Sequence, residues 1–350
     1  QRIPMRKRNL LLAFGASLAT LTLAVGPAMA GAAPPAPSLT TQVVAVSVPM
    51  TNTPASVTNA VAGCPAGTKL VGGGIRLGRA NPADTTTPTN GLKVNGTYPS
   101  DASATPVANL AINPRFWTAA GGFGGQSEAG DQVTSFAVCA IVGPVGSALR
   151  LVAVASINGP TAPATTASVT ATCPSGTTLV GGGALGTPAN SPSFKPVGSY
   201  PSDAAGNMVP NGATNPRTWT AVGSSGGATN PANVTTAFAV CSTPPLLRTE
   251  VVRVDAPGPQ VGSTFVTVPA TCGAGTRLLS GGVNADNSAG PLQQGVHLRG
   301  SYPSDAEGNP VANGASNPAT WTGIVQAGGQ DTPNTVAHVF AVCAVSGPLP

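Results

Sequence analysis

The stretch C-P-A-G-T-K-L-V-G-G-G at 64–74 returns as C-P-S-G-T-T-L-V-G-G-G at 173–183. A looser copy, C-G-A-G-T-R-L-L-S-G-G, stands at 272–282. Its Pro/Gly-Thr opening reads as a turn and its Leu-Val run as a strand. Three consecutive glycines argue against a helix and mark a bulge or a close approach to the strand, here room for a Trp to pack on the sheet. Moving outward, the strings around Tyr98, Tyr200 and Tyr302 match, as do those around Trp117, Trp219 and Trp321 and around Cys139, Cys241 and Cys343. Each set steps by 102 residues. The repeat therefore covers nearly the whole chain and predicts three tandem modules, at 41–147, 148–246 and 247–350. From the first Cys of each module to its Tyr the distance is 34, 27 and 30 residues, the signature of a surface loop. From Tyr to the last Cys it is 41 each time.

Alternation at period two dominates the apolar pattern. First strands are expected at V-V-A-V-S (43–47), L-V-A-V-A (151–155) and V-V-R-V-D (251–255), with the parity of Ala45, Ala153 and Arg253 turned to solvent. Last strands are expected at 135–140, 237–242 and 339–344, and others at 68–71, 168–173 and 217–222. About six strands per hundred residues, bounded by Gly, Pro, Asn and Asp, indicate an all-β protein. The expected fold is three tandem, disulfide-stapled antiparallel β modules, each a sandwich or small barrel, closely packed because the linkers are short. One closed assembly built from three units is the alternative.

Residues 1–30 read as a signal peptide starting at Met5: a basic Arg6-Lys7-Arg8, an apolar run over 10–25, and an Ala28-Met29-Ala30 cleavage site. A Pro/Ala-rich linker (31–40) follows. The whole chain carries 16 basic and 11 acidic residues, a net charge of +5. Four of the basic residues (Arg2, Arg6, Lys7 and Arg8) precede the cleavage site, so the remainder is close to neutral. That removes the electrostatic case for nucleic-acid or anionic-membrane binding. The expected localisation is secreted, with no membrane association beyond the leader.

Six cysteines, two per module in an exported chain, predict disulfides. If each module closes on itself, the pairs are Cys64–Cys139, Cys173–Cys241 and Cys272–Cys343. Loops of about 70 residues give each bridge roughly 4 kcal/mol of chain-entropy benefit. No C-x2-C exists, and both histidines, His297 and His338, lie in the third module, so neither zinc nor another cofactor is expected.

Catalytic motifs match on paper and fail in context. G-x-S-x-G occurs around Ser225, but its equivalents are G-G-F-G-G and V-Q-A-G-G, and the second module has no His. Gly181, Gly183 and Gly186 form G-x-G-x-x-G, but T-P-A-N-S-P follows and cannot open the helix that a dinucleotide needs. The sequons at Asn95 and Asn233 matter only in a eukaryote. Asp101, Asp203 and Asp305 lack the remaining ligands of a calcium loop and read first as turn formers. The Trp residues read first as core. The sharper reading joins Tyr98, Asp101, Trp117, Tyr200, Asp203, Trp219, Tyr302, Asp305 and Trp321 as ligand-binding residues, with the rings as a sugar-stacking platform beside the 18-residue Tyr-to-Trp segment.

The pattern C-P-x-G-T-x-L-V-G-G-G, then S-Y-P, then W, then F-A-V-C-A resembles modules of secreted, largely uncharacterised actinobacterial proteins. The resemblance spans all three modules and implies no catalytic residues. The expected function is a non-enzymatic binding protein engaging a polysaccharide or other cell-envelope ligand, with tandem copies raising avidity. The alternative is an interaction with an extracellular protein, as a protease inhibitor or a structural surface component.

Overall fold

A computed structural model describes residues 39–79, 90–141, 149–243 and 248–345. The expected leader and nearly all of the Pro/Ala-rich linker lie outside them. Among the described residues every regular element is a strand, and no helix is long and apolar enough to cross a membrane.

The first repeat supplies β1 (Thr40–Pro49), β2 (Val57–Gly63), β3 (Thr68–Arg79), β4 (Leu92–Ser100), a short β5 (Ala111–Ile112), β6 (Phe116–Phe123) and β7 (Asp131–Ile141). The second supplies β8 (Arg150–Asn158), β9 (Thr166–Thr172), β10 (Thr178–Thr187), β11 (Phe194–Ser202), β12 (Thr218–Ser225) and β13 (Val234–Ser242). The third supplies β14 (Arg248–Pro257), β15 (Phe265–Thr271), β16 (Thr276–Asn287), β17 (Val296–Ser304), β18 (Thr320–Ala327) and β19 (Thr335–Val345). The three sheets run β1-β7-β3-β17-β18-β15, β2-β6-β4-β10-β13-β8-β5 and β14-β19-β16-β11-β12-β9.

Every sheet is thus shared: three strands from one repeat meet three from another, and β5 of the first repeat adds to the edge of the second sheet. The joins are antiparallel and short. Ile75 pairs with Ser301, Ala184 with Thr97, and Val283 with Ser199. Repeat one joins two, two joins three, and three returns to one. The three repeats therefore form one closed, pseudo-threefold ring, and the described residues all fall in one compact unit.

Each glycine of the triplet has its own task. The first position sits at a bulge, between Leu70 and Gly72, Leu179 and Gly181, and Leu278 and Ser280. These bulges meet one another: a Cβ on Gly72 would lie 2.3 Å from Ser280 Cβ, and one on Gly181 would lie 2.4 Å from the Val71 carbonyl oxygen. Ser280 is tolerated because the two glycines leave it the space, and its hydroxyl donates to the Val180 carbonyl at 2.9 Å. The second position lies under a Trp. A Cβ on Gly73, Gly182 or Gly281 would come within 2.4, 2.3 or 2.2 Å of the ring Cγ of Trp117, Trp219 or Trp321. The third admits a strand of the preceding repeat around the ring: a Cβ on Gly74, Gly183 or Gly282 would stand 2.2 Å from a carbonyl oxygen of Ser301, Thr97 or Ser199.

Within each repeat the two half-sheets are held by a disulfide and a Trp. The bridges are Cys64–Cys139, Cys173–Cys241 and Cys272–Cys343. In each, one Cys follows a strand of one sheet (β2, β9, β15) while the other lies in a strand of the second (β7, β13, β19).

The expectation that the Ala45/Arg253 parity faces solvent is corrected. Val43 and Val251, on that parity, are fully buried. Val43 packs with Phe136, Tyr302 and Ile324, and Arg253 lies over the Phe340 ring at 5.7 Å. The cover comes from another repeat, which no alternation within one repeat can announce.

Candidate functional site

The aromatic residues marked as a stacking platform lie in the interior. Trp117, Trp219 and Trp321 have no exposed surface. Their indole N–H groups donate to Thr97 Oγ1 at 2.7 Å, Ser199 Oγ at 2.9 Å and Ser301 Oγ at 2.9 Å. Tyr98, Tyr200 and Tyr302 are also buried, and each stacks on a Phe of the next repeat: Phe238, Phe340 and Phe136, all at 5.8 Å and 24°. The phenols donate to the carbonyls of Ala104, Gly206 and Gly308. Burial pushes the Tyr98 and Tyr200 hydroxyls up to about 12. These six rings are packing elements, because closing the ring covers both faces of the half-sheets that carry them.

Asp101, Asp203 and Asp305 are exposed and make turns. Each Oδ1 accepts backbone N–H bonds two and four residues on, from Ser103 and Thr105, Ala205 and Asn207, and Glu307 and Asn309. Hydrogen bonds from Thr105 and Ser103 hold the Asp101 carboxyl below its usual range. Among the described residues no group of three or more His, Cys, Asp or Glu could hold a metal ion.

The rest of the Tyr-to-Trp segment docks on the outer strand of the next repeat. Asn113 N–H donates to the Arg150 carbonyl while its side-chain oxygen accepts from Arg150 N–H. Asn215 does the same with Thr249, and Asn317 with Thr41. The three Asn occupy left-handed backbone at φ 50, 49 and 51°. The loop thereby covers the edges of β8, β14 and β1, edges that would otherwise template further pairing.

The remaining motifs are absorbed in the same way. Ser225 is buried and donates to the Ala228 carbonyl at 2.9 Å. Asn95 and Asn233, the sequon residues, are buried and bonded to the carbonyls of Ala189 and Pro160.

The described residues also line a cavity of about 370 Å³. Lys93 of β4, Lys195 of β11 and His297 of β17 line it, one from each repeat at equivalent positions. Gly91, Ser193 and Gly295 form an equivalent triple in its wall, as do Asn90, Pro192 and Gln294, so the cavity lies on the pseudo-threefold axis. Its rim is held by equivalent backbone bonds from Gly124, Gly226 and Gly328 to Gly91, Ser193 and Gly295 at 2.7, 2.8 and 2.9 Å.

The three basic side chains are buried yet differ in state. Lys93 Nζ donates to the carbonyls of Ser191, Pro192 and Phe194, which uses all three N–H groups and ties repeat one to repeat two. Burial, then the Lys195 charge, lower Lys93 to about 7. Lys195 donates one N–H to the Gln294 carbonyl at 2.7 Å, tying repeat two to repeat three, and burial lowers it to about 8. His297 departs from the pattern. Its Nδ1 faces the Gly295 carbonyl at 2.9 Å, and its Nε2 has no partner among the described residues. Burial, then Lys195, push it down to about 3, so the imidazole is neutral. Sequence reasoning passed over this triple. The 102-residue step that located the Tyr, Trp and Cys sets also relates 93, 195 and 297, and basic residues are scarce in a chain with 8% charged residues.

No protein-family model matches the chain, and no curated protein matches it.

Proposed function

We propose that this chain is an exported, non-enzymatic binding protein that takes a small polar ligand in the axial cavity. The observation that carries the reading is the convergence of Lys93, Lys195 and His297 on one cavity from three equivalent strands, with hydrogen-bonding capacity left over at His297. Export is supported by the leader pattern over 1–30 and by three disulfides, which persist in oxidising compartments. A cell-envelope or extracellular ligand follows from that compartment. The envelope polysaccharide reading now rests on the cavity rather than on the Tyr and Trp rings, which no ligand can reach.

The test is a binding survey with the purified chain. Monosaccharides, oligosaccharides from cell-wall digests and small organic acids are screened by ligand-observed NMR and by shifts in melting temperature. The reading expects at least one of them to bind, and to be displaced or lost in Lys195→Met. Absence of binding across the survey, or binding indifferent to Lys195→Met, overturns it.

A further inference from the structure

Two of the side chains lining the cavity keep hydrogen-bonding capacity, each of a different kind. Lys195 Nζ commits one N–H to Gln294, so an ammonium there has two further donors to offer. His297 holds its Nδ1 against the Gly295 carbonyl at 2.9 Å. A carbonyl accepts, so Nδ1 carries the proton and Nε2 presents a lone pair. That Nε2 is buried without a partner among the described residues. Lys93 has no N–H to spare, but it adds a second cationic group, and no carboxylate stands among the described residues lining the cavity. An uncompensated pair of buried cationic groups favours an anion. A buried acceptor left without a donor favours a ligand that brings an O–H.

We infer that the axial cavity binds an oxyanion carrying its own O–H donor: its charged oxygens accept from Lys195 in the field of Lys93, and its hydroxyl donates to His297 Nε2. Hydrogen phosphate has this make-up as a free ion. A sugar acid has it too, with a carboxylate beside hydroxyls. Sulfate offers the charge and shape without the O–H, and a neutral sugar offers hydroxyls without the charge. The inference rests on the proposed axial binding site and adds the chemistry of its ligand.

The experiment titrates the purified chain near neutral pH, by calorimetry, with inorganic phosphate, glucuronate, sulfate and glucose. Binding of phosphate or glucuronate at least about tenfold tighter than sulfate, with glucose weaker still, is expected; tenfold is the yield of about one net hydrogen bond. Tight phosphate identifies the free ion as a sufficient ligand, and tight glucuronate identifies the sugar acid. In His297→Phe, which fills the same space without an acceptor, phosphate falls to the level of sulfate. Lys195→Met abolishes binding of phosphate, glucuronate and sulfate, while an unchanged near-ultraviolet circular dichroism spectrum shows the fold intact. The comparison of ligands on the unaltered chain needs no variant and stands even if Lys195→Met fails to fold. Sulfate binding as tightly as phosphate and glucuronate, or a phosphate preference that survives His297→Phe, overturns the O–H assignment. Glucose binding that outcompetes the anions and is lost in Lys195→Met overturns the anion inference and leaves the axial site standing. No binding by any of the four overturns the inference. The wider survey then decides the site.

Discussion

Tyr200 of the second repeat stacks on Phe340 of the third at 5.8 Å and 24°, and the same pair recurs with the same geometry at the other two junctions of the ring. The contact crosses from repeat to repeat, so it stabilises closure rather than any single module. A double-mutant cycle with Tyr200→Leu and Phe340→Leu, read by chemical denaturation, is expected to give a coupling of about 1 kcal/mol. Additive effects of the two substitutions would show that the stacking contributes nothing beyond its buried area.

The axial bulges make a sharper case. Gly72→Ala places a Cβ 2.3 Å from Ser280 Cβ, while the nearest backbone atom, the Leu279 carbonyl oxygen, stays at 3.3 Å. The single variant is expected to lose about 1–3 kcal/mol to overpacking. Adding Ser280→Gly removes the obstructing side chain and is expected to restore most of that loss. Gly181→Ala gains no such relief, since its obstacle at 2.4 Å is the Val71 carbonyl oxygen. Melting of Gly72→Ala and Gly181→Ala, each with and without Ser280→Gly, checks this, and failure of Ser280→Gly to rescue Gly72→Ala would contradict the geometry.

Loop docking is testable one residue at a time. Asn215→Ala removes the acceptor for Thr249 N–H and leaves a β-carbon at φ 49° without a local hydrogen bond. A cost of about 1–2 kcal/mol is expected. Hydrogen exchange should speed up locally, at the Thr249 amide and around Asn215, while the amides of β13 keep their protection.

A pH dependence follows from His338. Its Nδ1 lies 2.7 Å from Asp255 Oδ1 and its Nε2 lies 3.1 Å from Asp286 Oδ2. Burial works to lower its pKa, but Asp286 and Asp255 outweigh that and hold it above the usual imidazole value. For Asp255, burial works upward and is outweighed by Arg253 and His338, which leave it below the usual carboxylate range. A raised histidine contributes its full stability below about pH 6.5 and loses it as the pH climbs through the native value. A lowered aspartate contributes above about pH 4 and loses it on acidification. The cluster therefore stabilises most between those limits. His338→Gln is expected to flatten the fall in melting temperature as the pH rises above about 6.5; an equally steep fall in the variant would exclude this origin.

The sequence by itself determined most of the strands, the threefold repetition and the disulfide partners. Period-two alternation and turn residues report on local backbone, and fixed spacing reports on equivalence. It also pointed to the role of the second glycine, because a glycine in a strand signals that something lies against it, here Trp117, Trp219 or Trp321. The strands bearing Tyr98, Tyr200 and Tyr302 were harder to see, since Pro99, Pro201 and Pro303 interrupt them. Those prolines are tolerated because the inter-repeat pairing of β4, β11 and β17 has already ended, at Thr97, Ser199 and Ser301. Only the tertiary structure decided that the sheets are shared, that the Tyr rings are rivets between repeats, and that the outer strands are covered on the face bearing Arg253. Each of these depends on which repeat meets which, a contact between residues far apart in the chain that no local pattern encodes. The axial cavity belongs to the same class. Lys93, Lys195 and His297 stand far apart in the chain, and closure of the ring alone brings them to one cavity.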